Sequence, residues 1–339
     1  MTGHARRSSP RGAALVIAML VVAMIATLAS ATFWLQWRDL EVEDLERQRQ
    51  QDEQWTAAAL DWACQALAED MRTAPTVDHI GEPWAAGIVA DGLAPLLSTE
   101  HATAPDAPLL RVSAQITDAQ SRLNLLGLLS TRPPGRESGS IGGNGDGDDE
   151  TAAWTRLAQD LGLSDADLET LVQRWPRLGQ SMGRPDDALS SDSAFLPHRV
   201  DQLGWIGLSP AGLAALTPHV TLLPTPTPIN LNTAGADVLQ AVIPGLDAAA
   251  ARQLLVLRAR RPWQSLEEAR QALGPLGHQI QPSRHAVTSR YFLIRTRLQR
   301  GSLVRQSEAL VERGSNSGIQ VIWRRTLPSM AAGQGTDGG

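Results

Sequence analysis

The chain has 339 residues, room for two or three domains, with 42% apolar and 19% charged side chains. That balance excludes an intrinsically disordered chain, and the net charge of −6 gives no general reason to expect a polyanion partner. The single cysteine, Cys64, excludes an intramolecular disulfide and leaves the redox compartment open.

From Ala13 to Ala74 there is neither Gly nor Pro, and residues 13–37 carry no ionisable side chain. A helix over that apolar stretch spans roughly 37 Å, enough to cross a bilayer core. Residues 38–74 continue it as a charged, amphipathic helix, stopped by Pro75. Trp37 lies on one face and Trp55, Ala58, Ala59, Trp62 and Ala66 on another, which predicts tryptophans packed into a core. Arg6, Arg7 and Arg11 precede the apolar stretch, and Asp39, Glu41, Glu43 and Asp44 follow it. The positive-inside rule therefore puts the N-terminus in the cytoplasm and the bulk across the membrane. Three readings of this end compete. They are a signal peptide cut after Ala29-Ser30-Ala31, a plain anchor, and a pilin-type leader of residues 1–12 cut after Gly12.

Short mixed segments follow, then a strand at Arg111–Thr117. Residues 132–150, rich in Gly and Asp, read as a flexible loop. Helix starts are marked at Ser164, at Ser209-Pro210, at Thr233, at Asp247 and at the capping box Ser265-Leu-Glu-Glu268. Pro224-Thr-Pro-Thr-Pro228 reads as a stiff linker. Strands return at 286–298, 302–311 and 318–325, and residues 328–339 read as a disordered tail. Strands on both sides of a helical block predict an α+β domain over 75–122 and 283–327, with an inserted all-α domain over 123–282.

No enzyme signature appears. Ser209 has the wrong surroundings for a nucleophile elbow, Cys64 has no evident base, and no His pair has zinc spacing. His79, between Asp78 and Glu82, reads as a hydrogen-bonded turn histidine rather than a ligand. Asn144, Asp146 and Asp148 begin like a Ca²⁺ loop, but Asp149 and Thr155 stand where Gly and Glu are needed. Asp186, Asp187 and Asp192 form a second soft acidic cluster, the weak candidates for a metal. Ile229-Asn-Leu-Asn-Thr-Ala234, Ile243-Pro-Gly-Leu-Asp247 and Arg261-Pro-Trp-Gln-Ser-Leu-Glu267 resemble a helix-hairpin-helix (SAM-like) module. Asp247 replaces its second Gly and sets a carboxylate where a phosphate would approach. Arg258, Arg260 and Arg261 keep open the alternative of an exported DNA-binding protein of a competence-like system.

Arg11-Gly12 before the apolar helix, Asp78-His-Ile-Gly-Glu-Pro-Trp84, Asp118-Ala-Gln-Ser-Arg-Leu-Asn124 and Pro228-Ile-Asn-Leu-Asn-Thr-Ala234 with Pro244-Gly245 occur in that order. Together they resemble the general secretion pathway protein K family, the large minor pseudopilin of type II secretion systems. The resemblance implies a non-enzymatic subunit with a pilin fold carrying a helical insertion. It also implies prepilin-peptidase cleavage between Gly12 and Ala13, with methylation of Ala13. The implied place is the tip of a periplasmic pseudopilus, anchored in the inner membrane. The implied partners are other minor pseudopilins, the major pseudopilin, the inner-membrane assembly platform and exoproteins, with no nucleic acid. Ile17 occupies the position where most pilin-like chains carry Glu, which fits a subunit with no neighbour ahead of it. Ser121 and Leu126 depart from the family's Gly and Asn. The acids that the family links to Ca²⁺ are missing from Val172–Gly179, so no calcium site is carried over.

Overall fold

The computed structural model describes residues 11–91, 110–130, 146–181, 197–314 and 318–331. Its contacts divide the chain into two compact units, one ending at Ala57 and one beginning at Ala58. Helix α1 runs Arg11–Thr73 and ends just before Pro75, as expected. Its front half reaches a mean hydropathy of 2.6 and exposes Leu15, Ile17, Leu20 and Leu28 along its length, enough to cross a membrane. Within the second unit its buried stripe is Ala59, Leu60, Ala63 and Leu67, at helical spacing. The tryptophan expectation fails at two of its three positions: Trp37 is 60% exposed and Trp62 49%, while Trp55 is half-buried. Alanines and leucines line the stripe instead, and the alanines let the helix sit close to its neighbours.

A five-stranded antiparallel sheet is made of β1 (Ile88–Asp91), β2 (Leu110–Asp118), β7 (Tyr291–Arg300), β8 (Leu303–Arg313) and β9 (Ile319–Ala331), in the order β1-β2-β7-β8-β9. In β2, residues alternate so that Leu110, Val112, Ala114, Ile116 and Asp118 are buried. Gly301, with φ +58°, makes the two-residue turn between β7 and β8, where the pair Arg300–Leu303 closes the hairpin. Strand β9 continues to Ala331, so residues 328–331 belong to the sheet and not to a disordered tail. The strand expected from Ala286 begins only at Tyr291, because Ser289 and Arg290 donate their backbone N–H groups to side chains of Asp78 and Gln120.

Between the two halves of the sheet lie β3 (Leu123–Asn124), α2 (Asp146–Asp160), α3 (Asp165–Glu169), α4 (Trp175–Ser181), α5 (Pro210–Leu216) and β4 (Val220–Thr221). They are followed by β5 (Ile229–Asn230), α6 (Ala236–Val242), α7 (Ala248–Arg260), α8 (Leu266–Leu273) and β6 (His285–Ala286). Two short parallel pairs, β3 with β4 and β5 with β6, stitch this block to its ends. A π-turn at Thr170–Arg174 joins α3 to α4, where Pro176 has no N–H for the carbonyl of Val172. Leu125, Leu128, Trp154, Leu157, Trp175, Leu239 and Leu254 are among the residues of the block's core. Ser164, Ser209, Asp247 and Ser265 cap their helices as expected. Thr233 does not: Gly235 starts α6, and the threonine hydroxyl is turned to Asp118. Helix α2 starts at Asp146, so the last five residues of the expected 132–150 loop are helical.

Candidate functional site

Three of the four motifs of the sequence reading converge on one buried polar junction. Asp78 accepts from the backbone N–H of Ser289 at 2.6 Å, and both of its oxygens accept from Nη2 of Arg313, the last residue of β8. The other terminal nitrogen of the guanidinium, Nη1, donates to Asp70 in the closing turns of α1 at 3.0 Å. The plane of Arg313 stands 4.9 Å from the centre of the Phe292 ring, and Trp84 packs edge-on against the same ring at 5.3 Å. At the end of β2, Asp118 accepts from Ser289 Oγ (2.6 Å), Thr233 Oγ1 (2.5 Å), Asn230 Nδ2 (3.0 Å) and the backbone of Gln120 (2.7 Å). The Asn230 amide also donates to the backbone carbonyl of Asp78, so one fully buried side chain touches both other motifs.

Three further amides extend the junction into the helical block. Asn232 both accepts from and donates to the backbone of Trp263, at 3.0 and 2.9 Å. Gln120 accepts from the N–H groups of Arg290 and Tyr291 and donates to the carbonyl of Pro228. Asn124 accepts from Leu126 and Leu223 and donates to Thr225 and Thr227. The Pro224–Pro228 stretch, which joins β4 to β5, is therefore held by side-chain amides at Thr225, Thr227 and Pro228. An amide supplies donor and acceptor at once, so it can satisfy two orphan backbone groups where a turn leaves no ladder partner. The motifs were legible in the sequence, but their partners, Arg313, Ser289 and Asp70, carried no local signal.

The junction is rich in negative charge. Burial, and then the neighbouring Glu82 and Asp78 carboxylates, push Asp70 up to about 6 against the pull of Arg313. Burial likewise pushes Asp118 up to about 6, against the hydrogen bonds from Ser289, Thr233 and Gln120 that favour its ionised form. Glu82 is raised by burial while its Oε2 accepts from the N–H of His79 and the indole of Trp84. Oxygens of Asp70, Asp78 and Glu82 lie within 4.8 Å of one another, as in a hard-cation site. The positive charge such a group calls for is already supplied by Arg313. The weak metal candidates Asp186, Asp187 and Asp192 lie outside the described residues.

Nothing among the described residues assembles a catalytic group. Ser209 donates to Asp167 and caps α5, and burial, with Asp61 nearby, pushes the Cys64 thiol up to about 11. His79 accepts from the N–H of Gly81, the turn role expected of it. His285 is buried and pushed down to about 4. In the hairpin, Gly245 has φ +83°, and the Asp247 carboxylate accepts from the N–H of Ala250 at 2.8 Å. That cap uses one of the free N–H groups at the start of α7, where a phosphate would sit. Arg258 is buried on the carbonyl of Leu231, which leaves Arg260 and Arg261 as the exposed pair of the three. Ile17 is 63% exposed on α1, and Gly12 and Ala13 lie in the first turns of the same helix.

A long helix with a membrane-length apolar front, an antiparallel sheet whose edge half precedes a helical block, and a buried polar tie between them define a pilin-like subunit. Residues 229–288, the segment holding Asn230, Asn232 and the hairpin, match the family model for type II secretion system protein K. The type II secretion system protein K of Pseudomonas aeruginosa is 26% identical over 338 residues, covering 94% of this chain and 93% of that protein. The crystal structure of the GspK-GspI-GspJ complex of the enterotoxigenic Escherichia coli type 2 secretion system contains a chain of the same fold. The TM-score is 0.59 at 17% identity, with 84% of this chain and 98% of that one aligned. Over nearly its whole length, then, the chain is similar to protein K of the type II secretion system. It is a minor pseudopilin, a structural component of that system and not an enzyme.

Proposed function

We propose that this subunit caps the tip of the pseudopilus and helps to start its assembly for protein export across the outer membrane. The observation that carries the reading is the single helix Arg11–Thr73, apolar and membrane-length in front, with Ile17 where an acid is expected. A carboxylate deep in a bilayer costs about 2.5–3.5 kcal/mol unless it meets a positive partner. A neighbour's terminal amine can serve in the body of a filament, and a tip subunit has no such neighbour. The residue inventory around the span supports a cytoplasmic N-terminus, an inner-membrane anchor and a periplasmic body. Residues 1–12 are then a leader removed by prepilin peptidase between Gly12 and Ala13, with Ala13 methylated. The partners are other minor pseudopilins, as in the Escherichia coli complex, together with the major pseudopilin, the assembly platform and the exported proteins. The residues from Leu123 to Pro282 serve as an α-helical domain inserted into the pilin-like body.

Intact mass and N-terminal sequencing of the protein from a host with its own processing enzymes test the first step. A chain starting at methylated Ala13 is expected, and one starting at Thr32 overturns the reading. Ile17→Glu should then impair pseudopilus initiation, and unchanged secretion would refute the tip role. The DNA-binding alternative loses ground, because Asp247 caps α7 and Arg258 is buried.

A further inference from the structure

We propose that the joint between the end of α1 and the sheet is a proton-sensitive clamp, in which Asp70 and Asp78 share the guanidinium of Arg313 beside the crowding Glu82 carboxylate, and proton uptake by Asp70 tightens the hold. The three acids come from two segments, α1 and the turn after it, while the guanidinium comes from the far end of β8. Their supply of donors is unequal. Asp78 takes Nη2 of Arg313 with both oxygens and the N–H of Ser289 besides. Glu82 takes the N–H of His79 and the indole of Trp84. Asp70 takes Nη1 of Arg313 alone among the described residues, and it is the acid that ties the helix to the strand.

The charges facing Asp70 are therefore Asp78 and Glu82 against Arg313. His79, which also lies beside it, is lowered by burial and so adds no positive charge near neutral pH. On its own helix, Glu69 and Arg72 are exposed and paired with each other at 2.6 Å. With all three acids ionised the cluster carries two negative charges in excess, and a proton on Asp70 halves that excess. Asp70 titrates at about 6 in the closed joint and near 3.8 when freed. The closed joint binds the proton more tightly, so it is favoured in acid and loses that advantage as pH rises through 6. By linkage, local opening becomes about tenfold more frequent between pH 5 and 7.5. Asp118 is not among the charges that act on Asp70.

The test is hydrogen exchange of the full chain in detergent, followed at peptides covering 67–74 and corrected for intrinsic rates. Protection there should fall about tenfold from pH 5 to 7.5. Asp70→Asn should abolish the slope and keep the protection seen at pH 5. Glu82→Gln, which keeps the acceptor but removes a repelling charge, should raise protection at pH 7.5 and make the slope shallower. Equal protection at the two pH values, or a full slope in Asp70→Asn, overturns the proposal. Should Asp70→Asn fail to fold, an unchanged slope in Glu82→Gln does the same.

Discussion

Asn230 and Arg313 are the two side chains on which the junction turns, and they fail in different ways when removed. Asn230→Ala strips a donor from Asp118 and from the carbonyl of Asp78, and an acceptor from the N–H of Asn232, all buried. Leaving such groups without partners costs about 1–3 kcal/mol each before relaxation, so denaturant unfolding should show a loss of at least that size. Arg313→Met leaves Asp70 and Asp78 buried without their counter-ion, and breaking a buried pair from one side costs about 3–5 kcal/mol. The same measurement should rank Arg313→Met as the more damaging, and most so at neutral pH. At this scale the sequence was half legible. The asparagines and aspartates announced themselves as motifs, but nothing near Arg313 marked it off from the other arginines. Its carboxylate partners lie more than two hundred positions away, and only the closed sheet brings them together.

Helix caps were the most readable elements, because a cap is a bargain struck within four residues. Ser164, Ser209, Asp247 and Ser265 all bond the N–H three positions on. Thr233 looked equivalent and was not: α6 begins two residues later with Gly235 at its cap position, and the threonine hydroxyl donates to Asp118 instead. Asp247→Ala should cost about 1 kcal/mol in thermal or chemical unfolding. Fluorescence anisotropy with duplex DNA should show no salt-dependent binding by the unaltered chain. Binding whose slope with salt is lost in Arg260→Ala and Arg261→Ala would revive the DNA reading. The tryptophans of α1 misled because spacing reports which residues share a face, not which face is covered. The late start of β7 was equally hidden, since Ser289 and Arg290 have strand neighbours in sequence and side-chain partners in space.

Over the whole molecule, the raised carboxyls set the direction of its response to acid. Asp118 has a folded value near 6 against about 3.8 unfolded, so its stabilising effect is complete below 3.8 and is lost as pH rises through 6. Unfolding free energy should thus fall between pH 5 and 7.5, with an upper bound on the order of 1.4 kcal/mol from this group. Equilibrium denaturation at the two values checks it, and Asp118→Asn should flatten the trend. The overall plan of strands, helical block and strands was readable from texture alone. The break between the two compact units, at Ala57 and Ala58, was hidden, because it falls inside one unbroken helix.

The pairing of β2 with β7 joins Asp118 to Phe292, across about half of the chain. Closing so long a loop costs little at equilibrium, about 0.6 kcal/mol for each doubling of its length. In time the cost is larger. At synthesis rates of about 5–20 residues per second, β2 waits roughly 10 to 30 s for its partner to be made. Throughout that wait one edge of β2 has no strand beside it, while the helical block, held by nearer contacts, is free to fold. The nascent subunit is thus born with its sheet open, and the last strands to emerge are the ones that shut it.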